Sequence, residues 1–258
     1  MMRQSWLSLL LGVIMRATSS PNTAGFRISG QWLGGLTAGM IVLGATMLPT
    51  AAGAQDKKDG TANSTAWAAK EGGKELVLDP RQLEAVKKIN KYFSELNNLK
   101  GIFVQTDADK TRSRGRFYLK LPGRFRFDYG APSKKIMASD GTYLRIQDPD
   151  VPNPETYQLD NTPFRLLLKK DVDLVRDARI LDVQESDDLV VLALQDKSPD
   201  APGKVQLYFA KKPGFDLKEW VVLDAQGLET RVEVSELNKT EDLDAKLFVW
   251  DSNILKQK

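Results

Sequence analysis

Residues Gly115–Asp148 read GRFYLKLPGRFRFDYGAPSKKIMASDGTYLRIQD. In an extended chain, successive side chains point to opposite faces. Phe117, Leu119, Leu121, Phe125, Phe127 and Tyr129 therefore gather on one face, and Arg116, Tyr118, Lys120, Arg126 and Asp128 on the other. The first face is dry and rich in aromatics; the second is wet. A two-residue Pro122-Gly123 turn would pair Leu121 with Arg124 and mix apolar with charged residues on one face. A three-residue connection, Pro122-Gly123-Arg124, pairs Leu121 with Phe125, Leu119 with Phe127 and Phe117 with Tyr129. The odd-length loop is therefore expected, although it puts Arg124 where such loops prefer glycine. The dry face must cover either the protein's own core or a greasy ligand.

The flanks extend this pattern. Asp140-Gly141 predicts a tight hairpin between Lys135–Ser139 and Thr142–Ile146. Upstream, Asp79 is an N-cap and Pro80 suits a first helical position. Leu83, Val86, Ile89, Phe93 and Leu96 follow at helical spacing, opposite Lys87, Lys88, Lys91 and Glu95. The stripe reads as a core-facing helix or as a movable lid. Strands are expected at Ile102–Val104, Ile180–Gln184, Leu189–Gln195, Lys204–Ala210, Leu217–Leu223 and Leu228–Leu237. Asn161-Thr162-Pro163-Phe164 interrupts them and predicts a short helix, with Thr162 as cap, laid across a curved sheet. The fold class is α+β: a strongly curved antiparallel β-sheet forming an incomplete barrel covered by short helices.

Composition narrows the chemistry. The chain has no cysteine and no histidine, which excludes disulfides, thiol nucleophiles, Ser-His-Asp catalysis and imidazole metal ligation. No phosphate-binding glycine loop is present. Of the acidic runs, Asp148-Pro149-Asp150 and Glu241-Asp242-Leu243-Asp244 both lack a full calcium-loop pattern. Residues 1–54 carry Arg3, Arg16 and Arg27 and no acidic residue, so the rest of the chain balances 34 basic against 34 acidic side chains. Nucleic acid is therefore not an expected partner. Basic clusters at Lys110–Arg116, Lys134-Lys135, Lys169-Lys170 and Lys211-Lys212 read as solvated surface, or as docking sites for an acidic partner or anionic headgroups.

The N-terminus reads as a signal region over 1–54. Arg27 precedes the apolar run Trp32–Leu48, which ends before Ala52-Gly53-Ala54, and cleavage is expected after Ala54. The run is shorter than the about 20 residues of a membrane span. Residues 55–77 read as a flexible leader and 78–258 as one domain.

The order of these motifs is the amphipathic helix, GRFYLKLPGRFRFDY, the SDG hairpin and NTPF heading a helix, followed by a run of strands. It resembles the periplasmic outer-membrane lipoprotein carrier (LolA) family over about Leu78 to Trp250. The resemblance implies a monomeric periplasmic chaperone without cofactor or catalysis. It would receive triacylated lipoproteins from an inner-membrane lipoprotein-releasing ABC transporter and pass them to an outer-membrane lipoprotein acceptor. It also implies a lipid-binding wall of Phe117, Leu119, Leu121, Phe125, Phe127 and Tyr129, with Pro163, Phe164 and Leu167 on the lid. The family pattern places an inward arginine just before the proline, bonded to the lid; here that position is Leu121. Two alternatives on the same fold are a lipoprotein- or lipid-sensing interaction protein and a general periplasmic lipid carrier.

Overall fold

A computed structural model describes residues 76–250. The signal region, its cleavage site and all but the end of the leader lie outside the described residues. Helix α1 (Pro80–Glu95) starts as the sequence predicts: the Asp79 carboxylate accepts from the Arg81 and Gln82 backbone amides, and the Gln82 side chain accepts from Asp79 N at 3.0 Å. This capping box satisfies donors that the first helical turn leaves free. Ala85, Val86, Ile89 and Phe93 form its buried stripe. No helix among the described residues is long and apolar enough to cross a membrane.

The strands are β1 (Asn98–Thr106), β2 (Arg112–Lys120), β3 (Arg124–Tyr129), β4 (Ile136–Asp140), β5 (Tyr143–Gln147) and β6 (Glu155–Gln158), then β7 (Ala178–Glu185), β8 (Leu189–Asp196), β9 (Lys204–Ala210), β10 (Asp216–Leu223) and β11 (Glu229–Asn238). They form one antiparallel sheet in the order β6-β5-β4-β3-β2-β1-β11-β10-β9-β8-β7. The edge strands β6 and β7 are neighbours in sequence but not in the sheet, so the barrel is incomplete. Following the chain direction, β6 ends at one rim of the sheet and β7 begins at the other. Residues 159–177 must therefore cross the concave opening diagonally. This connector touches both halves: Gly123 N donates to Leu168 O at 2.9 Å, and the Arg165 guanidinium holds Asp196 at 2.5 and 2.8 Å. One short segment reaches both only because the sheet curls toward itself.

The β2–β3 hairpin corrects the expected register. Leu119 pairs with Phe125, Phe117 with Phe127, and Gly115 with Tyr129. The three-residue loop is Leu121-Pro122-Gly123, one residue earlier than expected, which shifts the cross-strand pairing by two residues. A two-residue slip preserves the face of every side chain, because the pleat repeats every two residues. The slip moves the strained position from Arg124 to Gly123, whose φ of 71° glycine adopts without steric cost. The next hairpin behaves likewise: Ser139 pairs with Leu144, leaving Gly141-Thr142 as the loop.

The connector also differs from expectation. It forms two 3-10 turns, Leu159–Asn161 and Pro163–Leu166, and a one-turn helix α2 (Leu174–Asp177). Thr162 does not cap through its side chain; its hydroxyl donates backward to Leu159 O at 2.7 Å. On the convex side, the face expected to be wet is partly covered. Residues 243–250 lie across β3 and β4: Lys120 Nζ donates to Leu243 O at 2.6 Å, Arg126 donates to Leu247 O at 3.3 Å, and Trp250 packs on Ile136 and Ala138. Arg126 is only 2% exposed there and pairs with Asp128 at 2.8 Å.

Candidate functional site

The concave face carries one continuous apolar surface. Across β7–β9, inward residues such as Val190, Leu192, Val205, Leu207 and Phe209 join one core cluster with the α1 stripe. Across β1–β5, cross-strand rows stack Leu99, Leu119, Phe125, Ser139 and Leu144, and beside them Gly101, Phe117, Phe127, Met137 and Ile146. The two glycines on this wall make room for rings. A Cβ on Gly115 would stand 2.6 Å from the Phe103 ring, and one on Gly101 2.9 Å from the Phe117 ring. Phe127 is the hub, with centroids at 5.0 Å from Phe103, 5.7 Å from Phe117, 6.0 Å from Phe125 and 6.3 Å from Trp220.

Between this wall and the connector lies a cavity of about 120 Å³. Phe117, Leu119, Phe125 and Phe127 line its wall, and Pro163, Phe164 and Leu167 its roof. The structure thus brings together seven of the nine expected residues. Leu121 and Tyr129 do not line it. Leu121 belongs to the β2–β3 loop, where its amide donates to Asn97 O at 2.9 Å, and it packs at the margin of the main core. Tyr129 is 2% exposed, and its hydroxyl donates to Gln105 Oε1 at 2.7 Å. Burial raises the Tyr129 pKa, so the phenol stays protonated. Gln105 Nε2 in turn donates to Asp107 Oδ1 at 2.7 Å, and burial raises the Asp107 pKa.

Sequence reading missed the far wall, chiefly Leu217, Trp220, Val222, Thr230 and Val232. In β10 a register shift between Leu217 and Glu219 breaks the alternation, so Leu217 and Trp220 both face inward although three residues apart. In β11 the alternation of Thr230, Val232 and Val234 was visible, but nothing local ties it to a cavity.

The polar runs have structural partners. Asp242 pairs with Lys120 at 2.8 Å, which lowers the Asp242 pKa, and Glu241 pairs with Lys100. Asp244 caps the turn Ala245–Phe248. Lys211 pairs with Glu185 and Lys212 with Asp188, at 2.8 and 2.9 Å. Among the described residues no cluster of three metal-ligating side chains occurs.

Comparison with known proteins places this architecture. The family model described as "Outer membrane lipoprotein carrier protein LolA" matches residues 94–251. The chain belongs to the LolA family. An outer-membrane lipoprotein carrier protein from Pseudomonas paraeruginosa is 27% identical over 177 residues, covering 65% of this chain and 83% of its own length. One from Chromohalobacter salexigens is 27% identical, covering 54% of this chain and 67% of its own. A solved LolA superfamily protein from Nitrosomonas europaea is 14% identical over 64% of this chain and 97% of its own, with a TM-score of 0.36.

Proposed function

We propose that this protein is a periplasmic carrier that shields lipoprotein acyl chains on their way from the inner to the outer membrane. One observation carries this reading: a cavity walled by aromatic and aliphatic side chains lies on the inside of an open sheet, under a connector tied to both halves of that sheet. Each methylene removed from water is worth about 0.8 kcal/mol, so long acyl chains need such a lining and no catalytic group. Phe117, Leu119, Phe125 and Phe127 are the proposed contacts, with Pro163, Phe164 and Leu167 above them.

The cavity is smaller than the roughly 300–1,000 Å³ of ordinary ligand pockets. Loading therefore requires the 159–177 connector to lift, and the closed form described above is the unloaded one. The chain has no nucleotide-binding motif, so the energy for loading comes from a partner. An inner-membrane lipoprotein-releasing ABC transporter and an outer-membrane acceptor fill the two partner roles.

Native mass spectrometry of the protein purified from periplasm without detergent tests the proposal. Co-purified triacylated lipoprotein is the expected result. Phospholipid alone would make it a general lipid carrier, and an empty protein that also fails to take up lipoprotein from inner-membrane vesicles would overturn the reading.

A further inference from the structure

The cavity lining contains no charged side chain and three polar ones: Thr162, Gln105 and Thr230. Thr162 is occupied with Leu159 O. Gln105 is held from both ends of its amide, accepting from Tyr129 and donating to Asp107, which leaves its second amide hydrogen without a partner among the described residues. Thr230 differs from both. It is 6% exposed, it lines the cavity, and its hydroxyl has no hydrogen-bond partner among the described residues. Strand pairing fixes its place: Thr230 faces Val222 on β10, and Val232, two residues on, faces Gln105 on β1. Thr230 and Gln105 are thus diagonal neighbours on the inward face, a spacing of about 7–8 Å.

A buried hydroxyl without a partner destabilises the fold. Valine fills nearly the same volume, suits a strand at least as well and avoids that cost. Val222 and Val232 already flank the position. The hydroxyl therefore costs the empty protein stability that a valine would not. The nearest basic group behind the pair, Lys135, lies 4.3 Å over the Tyr129 ring and faces Asp107, and it does not line the cavity. The donor pair therefore suits a neutral acceptor and not a carboxylate, whose charge would be buried unpaired.

We propose that Thr230, with the free amide hydrogen of Gln105, binds the ester carbonyl of an O-acylglyceryl ligand, so that the cavity selects acyl esters over bare hydrocarbon chains and over fatty-acid anions. The inference rests on the carrier reading and narrows its ligand class.

The test compares two probes of equal chain length, the palmitoyl ester of glycerol and its hexadecyl ether, which lacks the carbonyl. Each displaces an apolar fluorophore from the delipidated protein. Wild type is expected to bind the ester about 3–10-fold more tightly than the ether, the worth of one hydrogen bond. Thr230→Val weakens ester binding alone, erasing the preference, with an unchanged or higher melting temperature. Thr230→Ser restores it. Equal binding of ester and ether by wild type, or a preference that survives Thr230→Val, overturns the inference while leaving the carrier reading intact. If neither probe displaces the fluorophore, the carrier reading fails and this inference with it.

Discussion

The two halves of the concave face are built alike and covered differently. Over β7–β9 the inward side chains meet α1, a 16-residue helix, and pack tightly directly beneath it: Ile89, Leu192 and Phe209 are 0% exposed. Over β2–β5 the inward side chains are equally apolar, but their cover is a connector of single turns. A helix with its side chains is about 10–12 Å thick and fills the hollow of a curved sheet. A string of 3-10 turns does not, and a cavity remains. The emptiness therefore belongs to the cover and not to the wall.

This contrast is most sharply broken or upheld at Ile89. Ile89→Ala removes buried methyl groups from a filled region and leaves a new void, which costs about 2–5 kcal/mol in a urea titration. A loss below about 1 kcal/mol would show that the α1 half is loosely packed too. Arg165→Ala comes next. It strands the Asp196 carboxylate, whose side chain is 0% exposed, without its guanidinium. Charged hydrogen bonds of this kind are worth about 1.5–3 kcal/mol, discounted here because the Arg165 side chain is 25% exposed. The loss should be local: faster proteolysis and amide exchange within 159–177, with α1 unaffected. Equal acceleration in α1 would mean that the connector does not open by itself.

Phe127→Ala probes the empty half. The void is already present, so the cost stays near the transfer term of about 1.5–3 kcal/mol, without the cavity term that Ile89→Ala carries. Affinity for an apolar fluorophore falls in the same variant. Unchanged affinity would remove the aromatic hub from the site.

Much of this was legible in the residues. The Gly115–Asp148 alternation gave the wall, the odd-length loop gave the shared face, and Asp79-Pro80 gave the start of α1. The slip of the hairpin was not legible, because Pro122-Gly123 fits either three-residue loop and only the φ of Gly123 decides between them. The far wall was hidden by the irregularity in β10, which defeats strict alternation at Leu217 and Trp220. The wet face misled because Arg126 is charged. Its burial depends on residues about 120 positions away, where Leu247 O accepts its hydrogen bond. Long-range covers of this kind leave no local pattern.

A weaker effect comes from pH. Burial raises the Asp107 pKa above the ordinary carboxylate value, so the folded state holds this proton more tightly than the unfolded chain does. The contribution of Asp107 to stability is greatest below the unfolded pKa of about 3.9 and is lost as pH rises through the folded pKa. Asp107→Asn keeps an acceptor for Gln105 and removes this dependence. Its stability relative to wild type is expected to improve between pH 4 and pH 7, measured by urea midpoints at both. A difference independent of pH would place the charge of Asp107 outside the fold's energetics.

The smallest effect is expected at Leu121. It adjoins the cavity wall in sequence, and the family pattern puts an arginine at this position facing inward. Here the loop begins one residue earlier than the register read from sequence requires, so Leu121 leaves the ladder while Leu119 stays in it. Its side chain packs on the margin of the core and does not reach the cavity. An arginine there can lay its methylenes along the same apolar margin and keep its head in water. Leu121→Arg should therefore fold, and it should bind an apolar fluorophore within about twofold of wild type, as substitutions remote from a site do. A large drop in affinity would mean that the hairpin slips back by two residues when the cavity opens. The difference between wall and margin would then belong to the closed form alone.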